Sequence, residues 1–296
     1  ARGRPVPLQP MRVGEMLDAA IKLYRIHWRT LMAIVAFVTV PLTFVEEAVL
    51  ALTTGGTTVG FGETATISRG QTDTYVALGV VFALLQFLLV RPFLTGATVR
   101  AVAAAYLGEI PTVGPVYSFA LRRLGSIVWV LMLTALTLIG ILVAAGGFAA
   151  LLGAIGAWPL AVPLFVAAGV LCLLVYVRWA FGSAVVVVED GRGTGALRRS
   201  WGLTSKAFWK IFGTGLLAMV LTAIANTILG FVPTALSYGL GSWGWLLRAV
   251  GSAAASVVTT PFVTIVVVLL YFDQRIRKEG LDLSIMAQEL RTQRPS

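Results

Sequence analysis

The sequence predicts an all-α integral membrane protein whose six transmembrane helices form three hairpins. Of the 296 residues, 58% are hydrophobic and only 12% are charged, whereas soluble domains average about 25% charged residues. Six apolar runs reach the roughly 20 residues that a helix needs to cross a bilayer. The formal net charge is +10, and the basic residues cluster between particular apolar runs. Together these observations favour a multi-pass membrane protein over a soluble enzyme.

The apolar runs define a predicted six-helix membrane domain over residues 30–275. Residues 1–29 are predicted to form a cytoplasmic tail and interfacial helix, and residues 276–296 a cytoplasmic C-terminal segment. Several runs exceed the minimum length, so tilted or extended helices are expected. The spans are predicted near residues 30–52, 75–104, 126–152, 159–188, 210–236 and 246–272.

The basic residues follow an alternating pattern along the chain. They cluster before the first run, around the turn after the second, and after the fourth and sixth, whereas the opposite loops contain almost none. The positive-inside rule then predicts a multi-pass protein of the cytoplasmic (inner) membrane with both termini in the cytoplasm. The Thr53–Thr74 segment is expected outside. The first run lacks a small-residue cleavage site, which predicts no cleavable signal peptide.

A basic, amphipathic stretch precedes each predicted hairpin, at Val13–Arg29, Val113–Leu124 and Gly195–Lys210. The tetrapeptide Ala-Leu-Arg-Arg occurs at 120–123 and again at 196–199. Such stretches are typical of cytoplasmic interfacial helices, whose apolar face enters the headgroup region while the basic face contacts anionic lipid. The partners predicted from this charge are anionic membrane lipids and not nucleic acid. The candidate lipid contacts are Arg122, Arg123, Arg198 and Arg199.

Small residues recur at helical spacing in several spans, as at Ala145, Ala149 and Gly153. Ridges of small residues let helix backbones approach closely. The packing that they support lies either within the chain or between copies of it. A homo-oligomer or a protein partner is therefore an alternative that the sequence leaves open.

Five polar residues fall inside the apolar runs and form a candidate intramembrane cluster. A charge in the bilayer costs at least about 2.5–3.5 kcal/mol and is normally paired or placed in a wet cavity. Counting along the spans puts the five at similar depth. Three interpretations remain open: structural ion pairs, a polar cavity that binds a lipid phosphate or small anion, and snorkelling to the interface. The residues are Glu46, Glu47, Arg91, Arg178 and Asn226.

The sequence contains no recognisable catalytic or metal-binding motif, since HExxH, the P-loop, CxxC and GxSxG are all absent. The single histidine, His27, lies beside Trp28 and is interpreted as interfacial. The single cysteine, Cys172, lies in the fourth span, so no intrachain disulfide is expected. We predict no catalytic residue, no metal ligand, no cofactor and no enzymatic activity.

Three motifs resemble the membrane domain attached to some bacterial glycerophosphoryl diester phosphodiesterases. They are VGEMLDAAIKLYR at 13–25, ALRRSWGLT at 196–204 followed by Phe208-Trp209, and LYFDQRIRKEGLDL at 270–283. The same domain occurs alone in actinobacterial membrane proteins. The resemblance implies the membrane architecture. It does not imply hydrolysis, because the associated phosphodiesterase domain is a soluble barrel with histidines and metal-binding carboxylates that this chain lacks.

The predicted function is a non-enzymatic membrane scaffold or lipid-interacting subunit of the cytoplasmic membrane. The alternative is a transporter or carrier for a lipid or small anion that uses the intramembrane Arg/Glu cavity. A buried acid with access to both sides would favour transport, whereas a phospholipid held near Arg91 would favour lipid handling.

Overall fold

The computed structural model of the chain describes residues 10–53 and 69–280, and every regular element in that part is helical. One π-helical turn, Gln86–Val90, joins α2 to α3. Short 3₁₀ segments at Trp158–Leu160 and Tyr238–Trp243 lie at two turns. The α-helices are α1 Val13–Thr53, α2 Arg69–Leu85, α3 Arg91–Tyr106, α4 Val113–Ala154, α5 Ala161–Arg178, α6 Gly182–Val188, α7 Thr194–Thr204, α8 Phe208–Ser237 and α9 Gly244–Glu279.

Six helical segments of the described chain have the length and apolar composition to cross a membrane, as the sequence predicts. They are Val13–Thr53, Asp73–Tyr106, Val113–Ala154, Trp158–Val188, Phe208–Gly241 and Gly244–Glu279. α1 has 41 residues and α4 has 42, which is about 60 Å at 1.5 Å per residue and twice the hydrocarbon thickness. Both helices therefore extend beyond the bilayer core.

The first two amphipathic stretches are continuous with the spans that follow them. α1 runs without interruption from Val13, and α4 from Val113. The two stretches are therefore not separate helices, and their placement in the membrane interface stays a prediction. The physical reason for this continuity is that no proline or cap interrupts α1 before Pro41, or α4 after its first turn. Only the third stretch forms a separate helix, α7, which ends at Thr204 before α8 begins.

Two contacts establish how α1 lies against α9. The backbone N–H of Met11 donates to Asp273 at 2.9 Å, and the hydroxyl of Tyr24 donates to the Val258 carbonyl at 3.0 Å. The helices are therefore antiparallel, and both described chain ends meet at one end of the bundle. We call that end, with Met11, Lys210 and Asp273, the charged end, and the opposite end, where Arg248 lies, the far end.

The buried core concentrates at the charged end, around the second half of α9. In the most apolar stretch of α9, 50% of the residues are buried, whereas the share is 17% or less in the corresponding stretches of the other five membrane-crossing segments. Tyr106 of α3 stacks on Phe272 with ring centroids 4.8 Å apart, and Phe181 meets Tyr271 edge-on at 6.0 Å. α9 is thus the central helix. The short helices α3 and α6 are also mostly buried, whereas α2, α4, α5 and α8 expose many apolar side chains.

Close helix packing also occurs toward the far end, between α8 and α9. A Cβ atom on Gly251 would lie 2.7 Å from Cβ and 2.9 Å from Cγ of Pro233. Because the proline ring is rigid, it cannot yield to an added methyl group. Gly251 therefore permits the approach of the two helices.

We expect Gly251→Ala to lower the free energy of unfolding by about 1–3 kcal/mol, because it overpacks the α8–α9 contact. Thermal unfolding in a mild detergent measures the effect. Gly213→Ala is the matched control in α8, since a Cβ there would meet nothing within 4 Å. Equal melting temperatures for Gly251→Ala and the wild-type chain would contradict the close approach.

Candidate functional site

The carboxylate of Asp273 is the centre of the charged end, and its side chain is 0% exposed. It accepts hydrogen bonds from the Met11 backbone N–H at 2.9 Å, from Lys210 at 2.5 Å and from Arg277 at 3.1 Å. The Gln274 amide donates to the same carboxylate at 3.0 Å. A buried carboxylate is tolerated only when paired and hydrogen-bonded, and these four donors meet that requirement.

The two cations that pair with Asp273 also bind the chain just before α1. Lys210 donates to the Met11 carbonyl at 2.7 Å, and Arg277 donates to it at 3.0 Å. Lys210 lies in the first turn of α8, and Arg277 in the last turn of α9. One carboxylate therefore joins the beginning of α1, the beginning of α8 and the end of α9.

A second ionic cluster surrounds Glu189, which follows α6. Its carboxylate accepts bonds from Arg199 at 2.8 Å and from the Tyr271 hydroxyl at 2.6 Å, with Arg275 at 3.5 Å. Both arginines also pair with Glu279. Burial alone would raise the pKa of Glu189, but the hydrogen bonds from Arg199 and Tyr271 and the nearby positive charges hold it below its ordinary value. This cluster fastens α6 and α7 to α9.

A basic cavity of about 570 Å³ opens beside the Asp273 cluster. It lies between the beginning of α1, the α7–α8 junction and the end of α9. No acidic side chain of the described residues lines it. The lining consists of five cationic residues, Arg12, Lys206, Lys210, Arg277 and Lys278, together with Met11, Val13, Ala207 and Gln274. We call it the basic cavity.

A second cavity, of about 350 Å³, lies among α3, α4, α5, α8 and α9. Its walls are mainly apolar, and Thr95, Thr134 and Ser183 are among the few polar side chains that line it. The cavity places no acid or cation in position for chemistry. In residues 10–53 and 69–280 no group of three or more His, Cys, Asp or Glu side chains could hold a metal ion.

The predicted intramembrane cluster does not assemble as a unit. Glu47 forms its ion pair with Arg248 at 3.3 Å, and Glu46 accepts a hydrogen bond from Gln86 at 2.7 Å. Neither acid pairs with Arg91 or with any other cation that the sequence placed in the cluster. The physical reason is that Arg248, in the first turns of α9, lies opposite the end of α1 and takes Glu47 as its partner.

The other three members lie nearer the charged end than the Glu47–Arg248 pair. Thr264 of α9 donates a hydrogen bond to Thr98 of α3, which lies 166 positions earlier in the sequence. Counting back along both helices from this contact places the exposed Arg91 beside residue 257. At 1.5 Å per residue, that level is about 14 Å along α9 from Arg248. Asn226 accepts a hydrogen bond from Thr259 at 3.2 Å.

Arg178 ends α5 and packs against α7. Its guanidinium lies 5.2 Å from the centre of the Trp201 ring, and its carbonyl accepts a hydrogen bond from Ser200 at 2.8 Å. Because α5 ends at this residue, Arg178 belongs to the charged end and not to the middle of a continuous fourth span. The carrier alternative therefore loses the Arg/Glu cavity on which it was based.

The four predicted lipid-contact arginines fall into two classes. Arg123 pairs with Asp190, and Arg199 pairs with Glu189 and Glu279. Arg122 and Arg198 are exposed and form no ion pair within the described residues. In both copies of Ala-Leu-Arg-Arg, the first arginine therefore faces outward and the second binds an acid.

The sequence analysis missed Asp273 and Glu189 as organising residues. Each lies at the end of a long apolar run, where a charged residue is ordinarily interpreted as a solvated boundary. The available signal was the motif at 270–283, in which an acid directly follows the apolar Leu-Tyr-Phe and precedes Gln274 and two arginines.

We expect Asp273→Asn to lower the free energy of unfolding by about 2–3 kcal/mol, because the buried side chain loses its charge-assisted hydrogen bonds from Lys210 and Arg277, which are 21% and 41% exposed. Thermal unfolding in detergent at neutral pH measures this. Asp18→Asn is the control, since the Asp18–Lys22 pair has both side chains more than 60% exposed, and its loss should cost less than about 1 kcal/mol. Equal effects at the two positions would refute the role of Asp273.

Glu189 should make stability depend on acid pH. A carboxyl group whose pKa is lower in the folded chain stabilises the fold above its unfolded pKa, and the stabilisation is lost as pH falls through the folded value. The melting temperature of the wild-type chain should therefore exceed that of Glu189→Gln at pH 7. The difference should shrink as pH falls below the ordinary range for a glutamate. A difference that stays constant down to pH 3 would exclude this linkage.

No family model, curated protein or solved structure matches this chain. The similarity to the phosphodiesterase-associated membrane domain therefore remains a prediction from three motifs, and function must be inferred from the geometry of the charged end.

Proposed function

We propose that the chain is a non-enzymatic, lipid-interacting scaffold of the cytoplasmic membrane, with the charged end in the cytoplasm. The observation that carries the proposal is the division of the repeated arginine pairs. Arg123 and Arg199 are used inside the protein, whereas Arg122 and Arg198 are exposed and without an acid among the described residues. Exposed arginines beside a membrane attract anionic headgroups at about 1 kcal/mol each.

Aromatic side chains support this placement in the membrane. Trp28, Trp129, Trp201 and Trp209 are all at least 45% exposed, and tryptophan is enriched where a protein crosses the bilayer interface. Trp129 also lies next to the α6–α7 turn, with its Cδ1 3.4 Å from the position of a Cβ on Gly193. Beyond Trp129, α4 exposes apolar side chains at Leu136, Ile139, Leu142 and Val143. Arg122 precedes Trp129 by about 10 Å along the axis of α4, at 1.5 Å per residue, and so lies on the side of Trp129 away from these apolar side chains. A contact with lipid headgroups requires this position.

The proposed role follows from this arrangement. The charged end is cross-linked by ion pairs into a rigid platform, while the exposed arginines hold anionic lipid around it. The same platform is the natural place for a protein partner or a second copy of the chain. We do not propose a carrier, because the acids and arginines that would form its intramembrane site lie apart.

Topology is tested by labelling single cysteines in a Cys172→Ala background. Glu109→Cys lies in the exposed turn between α3 and α4 at the charged end, and Ile155→Cys in the exposed turn after α4 at the far end. We expect an impermeant maleimide to label Ile155→Cys in intact cells, and Glu109→Cys only after permeabilisation. The reverse pattern would place the charged end outside the cell and refute the proposed orientation.

Lipid contact is tested by the double variant Arg122→Gln/Arg198→Gln. We expect the purified protein to retain several-fold less anionic lipid, because two headgroup contacts of about 1 kcal/mol each are lost. Lipid extraction and mass spectrometry of protein in mild detergent measure the ratio of anionic to zwitterionic lipid.

The matched control is Arg122→Lys/Arg198→Lys, which conserves charge and should retain the wild-type lipid ratio. Melting temperatures should be unchanged in both variants, since neither arginine forms an internal ion pair. Identical lipid ratios in the Gln and Lys variants would reject these arginines as lipid contacts.

A further inference from the structure

We propose that the basic cavity binds a phosphate group, either free or as part of a lipid headgroup. This site is separate from the lipid surface at Arg122 and Arg198 and does not depend on it. The inference rests on the balance of charge around the cavity, on hydrogen-bond donors left unused there, and on the cavity volume.

The positive charge of the cavity is only partly neutralised. Five cations line it. Two acids are bonded to members of this set: Asp273 pairs with Lys210 and Arg277, and Glu15 accepts the backbone N–H of Arg12. Two negative charges against five positive ones leave a net charge of three. A phosphate carries about two negative charges and three strong acceptor oxygens, so it offsets this excess better than a single carboxylate does.

Several donors around the cavity remain without a partner within the described residues. Lys210 uses two of its three N–H bonds, on Asp273 and the Met11 carbonyl. Lys278 likewise uses two, on the Gly202 carbonyl at 2.8 Å and the Ser205 hydroxyl at 3.0 Å. The Nη1 group of Arg277 makes no bond in this part of the chain. These side chains are held in place by their existing bonds and still have donors to offer.

Two further cations complete the cavity without being committed elsewhere. The exposed side chains of Arg12 and Lys206 form no ion pair in the described chain. Together with the three anchored cations they surround a volume of about 570 Å³, which falls within the range of ordinary ligand pockets. Hydrogen-bonded cations on one side and exposed, unpaired cations on the other form a site suited to a compact, doubly charged anion.

The test is isothermal titration of the full chain in a neutral detergent with two probes, inorganic phosphate and soluble dihexanoyl phosphatidate. We expect saturable binding at one site per chain. Arg12→Gln/Lys206→Gln should weaken it by about 10- to 30-fold, because two nearby cations are lost. Binding of both probes would identify the phosphate group itself as the ligand, whereas binding of phosphatidate alone would identify a lipid headgroup.

Arg122→Gln/Arg198→Gln is the matched control, since it removes the same charge outside the cavity and should leave the affinity for inorganic phosphate within about 2-fold of wild type. Equal weakening in the control, or no saturable binding of either probe to the wild-type chain, would overturn the inference. If the double variant melts at a lower temperature, Lys206→Glu reverses the charge at one exposed position and should abolish binding. A loss of retained lipid in the control with unchanged phosphate affinity would separate this site from the proposed lipid surface.

Discussion

The buried carboxylate of Asp273 is the constraint on which the charged end depends. An ionised group removed from water must be matched by cations and donors, and here they come from the chain before α1, from α8 and from α9 itself. Satisfying one carboxylate therefore brings three distant segments to a single point. That point sets the antiparallel register of α1 and α8 against α9. Toward the far end the same α8–α9 pair meets again at Gly251 and Pro233, so the hairpin is held at two levels.

Helix geometry explains why equal sequences in the two Ala-Leu-Arg-Arg copies serve two purposes. Consecutive residues on an α-helix point about 100° apart, so two adjacent arginines cannot both face the same neighbour. In α4 and in α7 the second arginine reaches an acid at the α6–α7 turn, Asp190 or Glu189. The first arginine is then directed away from the bundle. An arginine pair is thus a means of linking a helix to the protein on one side and to its surroundings on the other.

Hydropathy and charge were sufficient to predict the helical class and the six spans, because long apolar helices are what a bilayer requires. They could not predict the partners of the charged residues. Counting depth along each span treated Arg178 as mid-membrane, but α5 ends there and the chain turns. Arg248 falls within the predicted sixth span but was not considered as a partner for Glu47, with which it pairs. Amphipathic spacing also cannot distinguish an interfacial helix from the extension of a span. Of the three predicted stretches, only the one that contains α7 is separated by a break from the span that follows.

The charged end combines a need for stability with an excess of positive charge. Asp273 neutralises part of the positive charge of the lysine and arginine that bind it, yet Lys206 and Lys278 add further positive charge beside the cluster. Like charges at close range oppose folding. Lys278 offsets part of this cost by binding the Gly202 carbonyl and the Ser205 hydroxyl at the end of α7, whereas the exposed Lys206 forms no ion pair within residues 10–53 and 69–280. An anion that binds only the folded chain would remove this repulsion and stabilise the fold by mass action. Ligand binding and the integrity of the α1–α8–α9 junction are then coupled, because the residues that hold the junction together also line the cavity.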